Sequence, residues 1–366
     1  MSQMPSPCGN IAAADIAPGS RQSRPSWVVA LKRFEQPDTR KAALQVTDTL
    51  VPYLALLVLM YLTIFWKVPY WLTLLLAIPA SAFMVRLFIF FHDCSHGSYL
   101  ASPRATKILG TTLGILVFMP FFEWRSLHAV HHSASGNLDR RGIGDIWTMT
   151  LNEYVQSSRF RRFLYRMSRH PAVMFGLGPF YVLLIAHRLP SRGANREAIQ
   201  SVIFTDVMIA AILTLAALTI GVKAYLMIEL PLILMGGAGG VWLFYIQHQF
   251  DPSYWARSEG WNSTDAALQG SSFYRLPKLL QWFSGNIGFH HIHHLRPRIP
   301  NYNLERCLLE TPELQIDHPL TLWRSLKSVR LNLWDEERRI LVSFREAART
   351  QCWQTAGPSH ISRRPC

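Results

Sequence analysis

Two copies of His-x-x-His-His stand in this chain, at His128, His131, His132 and at His290, His293, His294. Imidazole is the commonest transition-metal ligand among side chains, and clustered imidazoles are the chemistry of a metal centre. With 14 histidines in 366 residues, random placement would give roughly 0.02 copies of such a triplet, so two copies call for an explanation. Residues three and four apart lie on one face of a helix, so each triplet can present its rings to one side. A shorter element, His92-Asp-Cys-Ser-His96, has the same helical spacing but is common by chance; its weight comes from its position.

That position is set by four long apolar runs. Leu50 to Trp66 carries no charge, Lys67 interrupts, and Val68 to Val85 is again uncharged before Arg86 and the apolar Leu87 to Phe91. Val207 to Val222 is apolar, Lys223 stands at the turn, and Ala224 to Gln247 contains one acid, Glu229. Runs of this length cross a bilayer as helices, because the hydrocarbon core leaves no other way to satisfy the backbone. The expected fold is an all-α integral membrane protein. Spans at 48–66, 68–91, 202–222 and 224–248 form two hairpins, and a cytoplasmic helical cap holds a histidine-rich di-metal site. Two further apolar stretches, Ile108 to Phe122 and Ala172 to Ala186, are short or broken by Gly and Pro and read as surface-lying or re-entrant. If either crossed alone, the histidine elements would fall on opposite faces.

The chain carries 37 Lys and Arg against 23 Asp and Glu, a formal net charge of +14. The bases crowd one flank of the spans: Lys32, Arg33, Arg40, Lys41, Arg104, Lys107, Arg125, Arg140, Arg141 and the run Arg159 to Arg169, with Arg21 and Arg24 before them. The other flank has only Lys67 and Lys223. This is a positive-inside pattern, which puts both termini and the site in the cytoplasm. The bases are dispersed and no recognition motif accompanies them, so no nucleic-acid partner is expected. Residues 1–25 are rich in Pro, Ser and Ala, read as disordered, and contain no signal-peptide core. Trp27 to Phe34 suits a helix lying in the membrane interface. The five cysteines are scattered without zinc-finger or disulfide spacing.

The two hairpins share a length. From Lys67 to His92 is 25 residues, and from Lys223 to His248 is also 25; at about 1.5 Å per residue both histidines rise about 37 Å from the turns. A hydrocarbon core is about 30 Å thick, so both emerge at one boundary. The glycines of Gly236-Gly237-Ala238-Gly239-Gly240 would let these helices approach closely. His248 thus joins His92, His96, His128, His131, His132, His290, His293 and His294. Nine ligands exceed one octahedral metal and suit two. Asp93, Asp139 and Asp145 are candidates to orient the rings from behind, and Asn286 to hold a water. His291 is the spare of the second triplet and should point away, while His170, His187, His318 and His360 read as isolated surface residues. Trp124, Trp147, Tyr154 and Trp242 are candidate lining residues. Imidazole suits zinc, copper, nickel and iron alike. No His-Glu-x-x-His, Gly-rich dinucleotide fingerprint or Gly-x-Ser-x-Gly elbow points to protease, internal nicotinamide or serine-hydrolase chemistry.

His92-Asp-Cys-Ser-His96, His128-Ala-Val-His-His132 and His290-His-Ile-His-His294 resemble the three histidine boxes of the membrane fatty acid desaturases. The flanking Gly136-Asn-Leu-Asp-Arg-Arg-Gly-Ile-Gly-Asp145 and Gly285 to Tyr302 are most similar to the bacterial and plastid branch acting at delta-12 or omega positions. The resemblance covers residues 26–310, leaving 311–366 as a cytoplasmic C-terminal segment. It implies a non-haem di-iron centre, held by the nine histidines, that uses O2 and two electrons to place a cis double bond in an acyl chain. That chain would be carried on lipid, thioester or carrier protein. Without a His-Pro-Gly-Gly sequence, the expected electron donor is a separate protein such as a ferredoxin or a b-type cytochrome. The implied place is a bacterial inner membrane. Hydroxylation, epoxygenation or carotenoid modification on the same scaffold, and a non-enzymatic metal-binding or transport role, are the alternatives.

Overall fold

The computed structural model describes residues 26–349; the expectations for residues 1–25, the cysteines at 8, 352 and 366, and His360 lie outside the described residues. Four helices are long and apolar enough to cross a membrane: α1 (Thr39–Phe65), α2 (Tyr70–Ser95), and later in the chain Arg196–Thr219 and Val222–His248. The first starts earlier than its apolar run because Asp38 caps it, accepting from the Arg40 and Lys41 amides at 3.0 and 3.1 Å. Asn195 does the same for the third, accepting from the Ala198 amide at 2.9 Å. Hydropathy registers the apolar window, whereas the cap sets where the helix begins.

Between the hairpins lie α3 (Pro103–Leu116) and α4 (Phe121–Ala134), bent by 98°. Their turn passes through Phe118, held at a positive φ of 59°. Gly110 makes the close contact possible, since a Cβ there would stand 2.7 Å or less from the Phe121 ring. His92 and His96 precede this pair, His128 and His132 lie in its last turns, and all four meet. The pair therefore returns the chain to the side it left, as a re-entrant element must. A second bent pair, α5 (Arg159–Ser168) with the helical turns of Ala172–Ala186, is broken by 58°.

The third and fourth spans are α6 (Arg196–Thr219) and α7 (Val222–His248). Their turn pivots on Gly221, at φ 85°, and Lys223 lies inside the first turn of α7. The glycine-rich stretch of α7 packs on α2: a Cβ on Gly236 would meet the Met84 sulfur at 3.1 Å, and one on Gly239 would meet Val85 at 3.3 Å. Small residues at this crossing bring the two histidine-bearing helix ends together.

The cap is built from α8 (Lys278–Phe283), α9 (His290–Leu295), α10 (Asn301–Leu309) and five short strands. β1 (Met149–Thr150) pairs in parallel with β4 (Leu333–Asp335), which pairs antiparallel with β5 (Ile340–Val342); β2 (Tyr274–Arg275) pairs with β3 (Leu320–Thr321). Residues 320–342 are thus fastened into the body of the cap. Val28, Leu31 and Phe34 are buried against Phe289, Ile292, Leu295 and Leu304. The apolar stripe expected to lie in a lipid interface is covered by the second-triplet helix, since an amphipathic face can be satisfied by protein as well as by lipid.

Candidate metal centre

The histidines meet in two adjacent groups. His92, His96, His128, His132 and His293 form one; His131, His248, His290 and His294 form the other, and within each the ligand atoms all lie within 4.8 Å of one another. The helix period explains how each triplet divides. Residues four apart are nearly superposed and the one between them is turned aside. His128 and His132 therefore stay together while His131 crosses over, and His290 and His294 stay together while His293 crosses. The stacked rings of His132 and His294, 4.2 Å apart, join the groups.

The donor set fits metal ions. With metal–nitrogen bonds of about 2.1 Å, neighbouring ligand atoms stand about 3 Å apart and opposite ones about 4.2 Å apart. Observed contacts include His132 Nε2 to His128 Nε2 at 3.0 Å, His293 Nε2 to His132 Nε2 at 3.1 Å and His290 Nε2 to His248 Nε2 at 3.2 Å. His96 Nε2, His131 Nε2 and His294 Nε2 are buried without a hydrogen-bond partner, an arrangement that is costly unless something else engages them. Burial, reinforced by neighbouring imidazoles, holds His96, His290, His293 and His294 well below the usual histidine range. The rings are thereby kept neutral, the form that ligates metals.

Each group has a carboxylate behind one ring. Asp93 Oδ1 lies 3.1 Å from His92 Nδ1, and Asp145 Oδ1 lies 2.6 Å from His131 Nδ1. The Gly270 carbonyl lies 3.1 Å from His248 Nδ1. These contacts leave the opposite ring nitrogen free for a metal, the usual function of such supports. The second oxygen of Asp93 accepts from both the amide and the side chain of Asn301, at 2.7 and 2.9 Å. Asn301 was missed in the sequence because it lies 208 residues from its partner.

A family profile described as fatty acid desaturase matches residues 66–325. The chain belongs to the fatty acid desaturase family. It is 44% identical over 312 residues to a fatty acid desaturase of Bacillus subtilis (strain 168), covering 85% of this chain and 88% of that one. A chloroplastic omega-6 fatty acid desaturase of Spinacia oleracea is 26% identical over 318 residues, 81% of this chain and 66% of that one. The sn-2 acyl-lipid omega-3 desaturase (ferredoxin) of Arabidopsis thaliana is 27% identical over 241 residues, 60% of this chain and 50% of that one. Members of the family are oxidoreductases.

Several residues singled out in this desaturase lie elsewhere than expected. Asp139 turns away from the histidines to Arg257, at 2.7 Å, and the Ser258 amide, at 2.8 Å. The turn through Gly142 and Gly144, both at positive φ, presents Asp145 to His131 in its place. Asn286 also sits outside the histidine groups: its amide donates to the Asn301 carbonyl and accepts from Gln281, each at 3.0 Å. His291 points away as expected, 3.2 Å from the Leu314 carbonyl, whereas His187 is half-buried rather than on the surface.

Of the four aromatics, Trp124 alone reaches the site. It stacks on His128 at 4.2 Å and touches the His92 ring edge at 5.8 Å. Trp147 packs on Tyr165, Tyr154 between Tyr165 and Phe344, and Trp242 on Phe175. An aromatic side chain fills any of these gaps equally well, so residue type alone carried no direction. Phe244 does meet the site, with its ring 5.3 Å from His131 and 5.8 Å from His248. Its position one helical turn before His248 was the available signal.

Proposed function

We propose that this desaturase introduces a cis double bond into an acyl chain at a delta-12 or omega position, with O2 as co-substrate and two non-haem irons held by the nine histidines. The observation carrying the reading is the gathering of nine imidazoles into groups of five and four, donor sets that leave unfilled positions on two metals of octahedral preference. Bound there, the iron pair would supply the oxidising power that breaking two unactivated C–H bonds demands. Overall, –CH2–CH2–, O2, two electrons and two protons give –CH=CH– and two waters.

A methylene offers no handle for acid or base, so the protein's part is to position it and to exclude water. Trp124 and Phe244 border the two groups with apolar surface and are the residues we assign to flank the reacting carbons. Asp93 and Asp145 hold His92 and His131 in orientation. Asp139, Asn286, Trp147, Tyr154 and Trp242 have no part in this reading.

We assign the site and both termini to the cytoplasmic side of a bacterial inner membrane, a reading that the basic flanks support. An acyl lipid is the substrate carrier we favour, in keeping with the name of the Arabidopsis relative. The same name specifies ferredoxin. We assign the two electrons to a separate carrier of that kind or to a b-type cytochrome.

Expression in a host without polyunsaturated lipids, followed by mass spectrometry of its fatty acids and an iron count on the purified chain, tests the reading. A new cis double bond and two irons per chain are expected. A hydroxylated product without a new double bond, or a single zinc, would overturn it.

A further inference from the structure

We propose that Asn301 is a positioning residue for the five-histidine group, holding Asp93 so that its other oxygen fixes the orientation of His92. The proposal rests on the metal-binding part of the reading above. Asp93 is 1% exposed and Asn301 is 0% exposed. Among the described residues the ion-pair partner recorded for Asp93 is His92. A buried carboxylate with no full cation beside it is costly unless its lone pairs are met by donors. Asn301 meets them twice, through its amide at 2.7 Å and its Nδ2 at 2.9 Å, both on Oδ2. Both donors are neutral, so the negative charge is left to face the Nδ1 edge of His92, 3.1 Å from Oδ1, and Nε2 is left for the metal.

Asn301 is itself pinned on two sides. Its Oδ1 accepts from Gln45 Nε2 and its carbonyl accepts from Asn286 Nδ2, each at 3.0 Å. Gln45 belongs to α1 and Asn286 to the turn before α9, so one residue, through its side chain and its backbone, ties the first span, the His92 helix and the His293 segment into one register. His92 and His293 are ring neighbours at 4.4 Å, which is where a slip would be felt. In the four-histidine group the corresponding support of Asp145 is local. The Asp145 side chain is 10% exposed and accepts from the Gly142 amide at 3.3 Å. Loss of Asn301 should therefore act on one metal and spare the other.

The test uses the full chain in lipid nanodiscs, as wild type, Asn301→Ala and Asn301→Asp, the last keeping shape and backbone donor while removing the side-chain donor. Iron per chain is titrated against a chelator, and the 57Fe Mössbauer spectrum is recorded. Removing an outer support of this kind costs about 10–100-fold in metal affinity. Both variants should lose one iron at chelator concentrations the wild type withstands, and keep one spectral component. Gln45→Ala should give the same loss in milder degree. Two irons held with wild-type affinity and spectrum in both variants would overturn the proposal while leaving the desaturase reading intact. Equal loss of both irons from Asn301→Asp would also overturn it, since that is a general structural effect. A wild-type chain that binds no iron would overturn both.

Discussion

Gly236 of α7 faces Met84 of α2 so closely that an added methyl group would stand 3.1 Å from its sulfur. Met84 lies two turns before His92, and Gly236 three turns before His248, so this contact sets the separation of two helices that serve different histidine groups. Alanine meets a movable thioether and should be tolerated. Leucine would push the helices apart, and a displacement of about 1 Å at a reacting centre can cost about 100-fold. Gly236→Leu is expected to insert normally yet lose desaturation by about that factor. Fatty-acid profiles of cells expressing each variant at equal membrane levels provide the check; equal activity of the leucine variant would show that the contact is incidental.

His248 and His291 are both buried histidines near the second triplet, but only His248 belongs to a group. His248→Ala removes one of four ligands and should cost metal affinity at that group by at least about 100-fold, leaving the spans in place. His291→Phe removes a hydrogen bond to the Leu314 carbonyl and should cost about 1–3 kcal/mol of stability with both irons retained. Iron analysis of the two variants side by side separates the roles, and iron loss from His291→Phe would contradict the assignment.

Asp145 and Asp139 are six residues apart and differ in what they touch. Asp145→Asn replaces the carboxylate on His131 by a neutral amide and should lower iron affinity about 10–100-fold. Asp139 is 39% exposed and pairs with Arg257, 46% exposed, an arrangement in which solvent leaves a pair about 0–1 kcal/mol. Asp139→Asn should match wild type in iron content and product. A chelator titration on both variants decides the matter.

This contrast marks where the sequence could be read and where it could not. His248, a lone histidine, was found because a helix converts residue count into height. The gathering of the nine histidines was legible in the apolar runs, the matched hairpin lengths and the spacing of three and four. Asp145 over Asp139 could not be foreseen, because two left-handed glycines decide which carboxylate swings inward. Asn301 and Asn286 meet across 15 residues, and Asn301 meets Asp93 across 208; no local pattern encodes such contacts. The segment from Val28 to Phe34 showed its amphipathic face but not its partner, since one apolar stripe fits lipid and α9 alike.

The metal itself can be exchanged to separate binding from chemistry. Imidazole accepts zinc as readily as iron, and zinc has no redox chemistry. Chelation should abolish desaturation and lower the melting temperature, because ligands that bind only the folded state stabilise it by mass action. Refilling with Fe(II) should restore both. Zn(II) should restore the melting temperature but no double-bond formation, which would place the nine histidines in holding the ion and the reaction in its redox capacity. Thermal melts and product analysis on the three preparations provide the measurement, and desaturation by the zinc-loaded protein would exclude an iron-based oxidation.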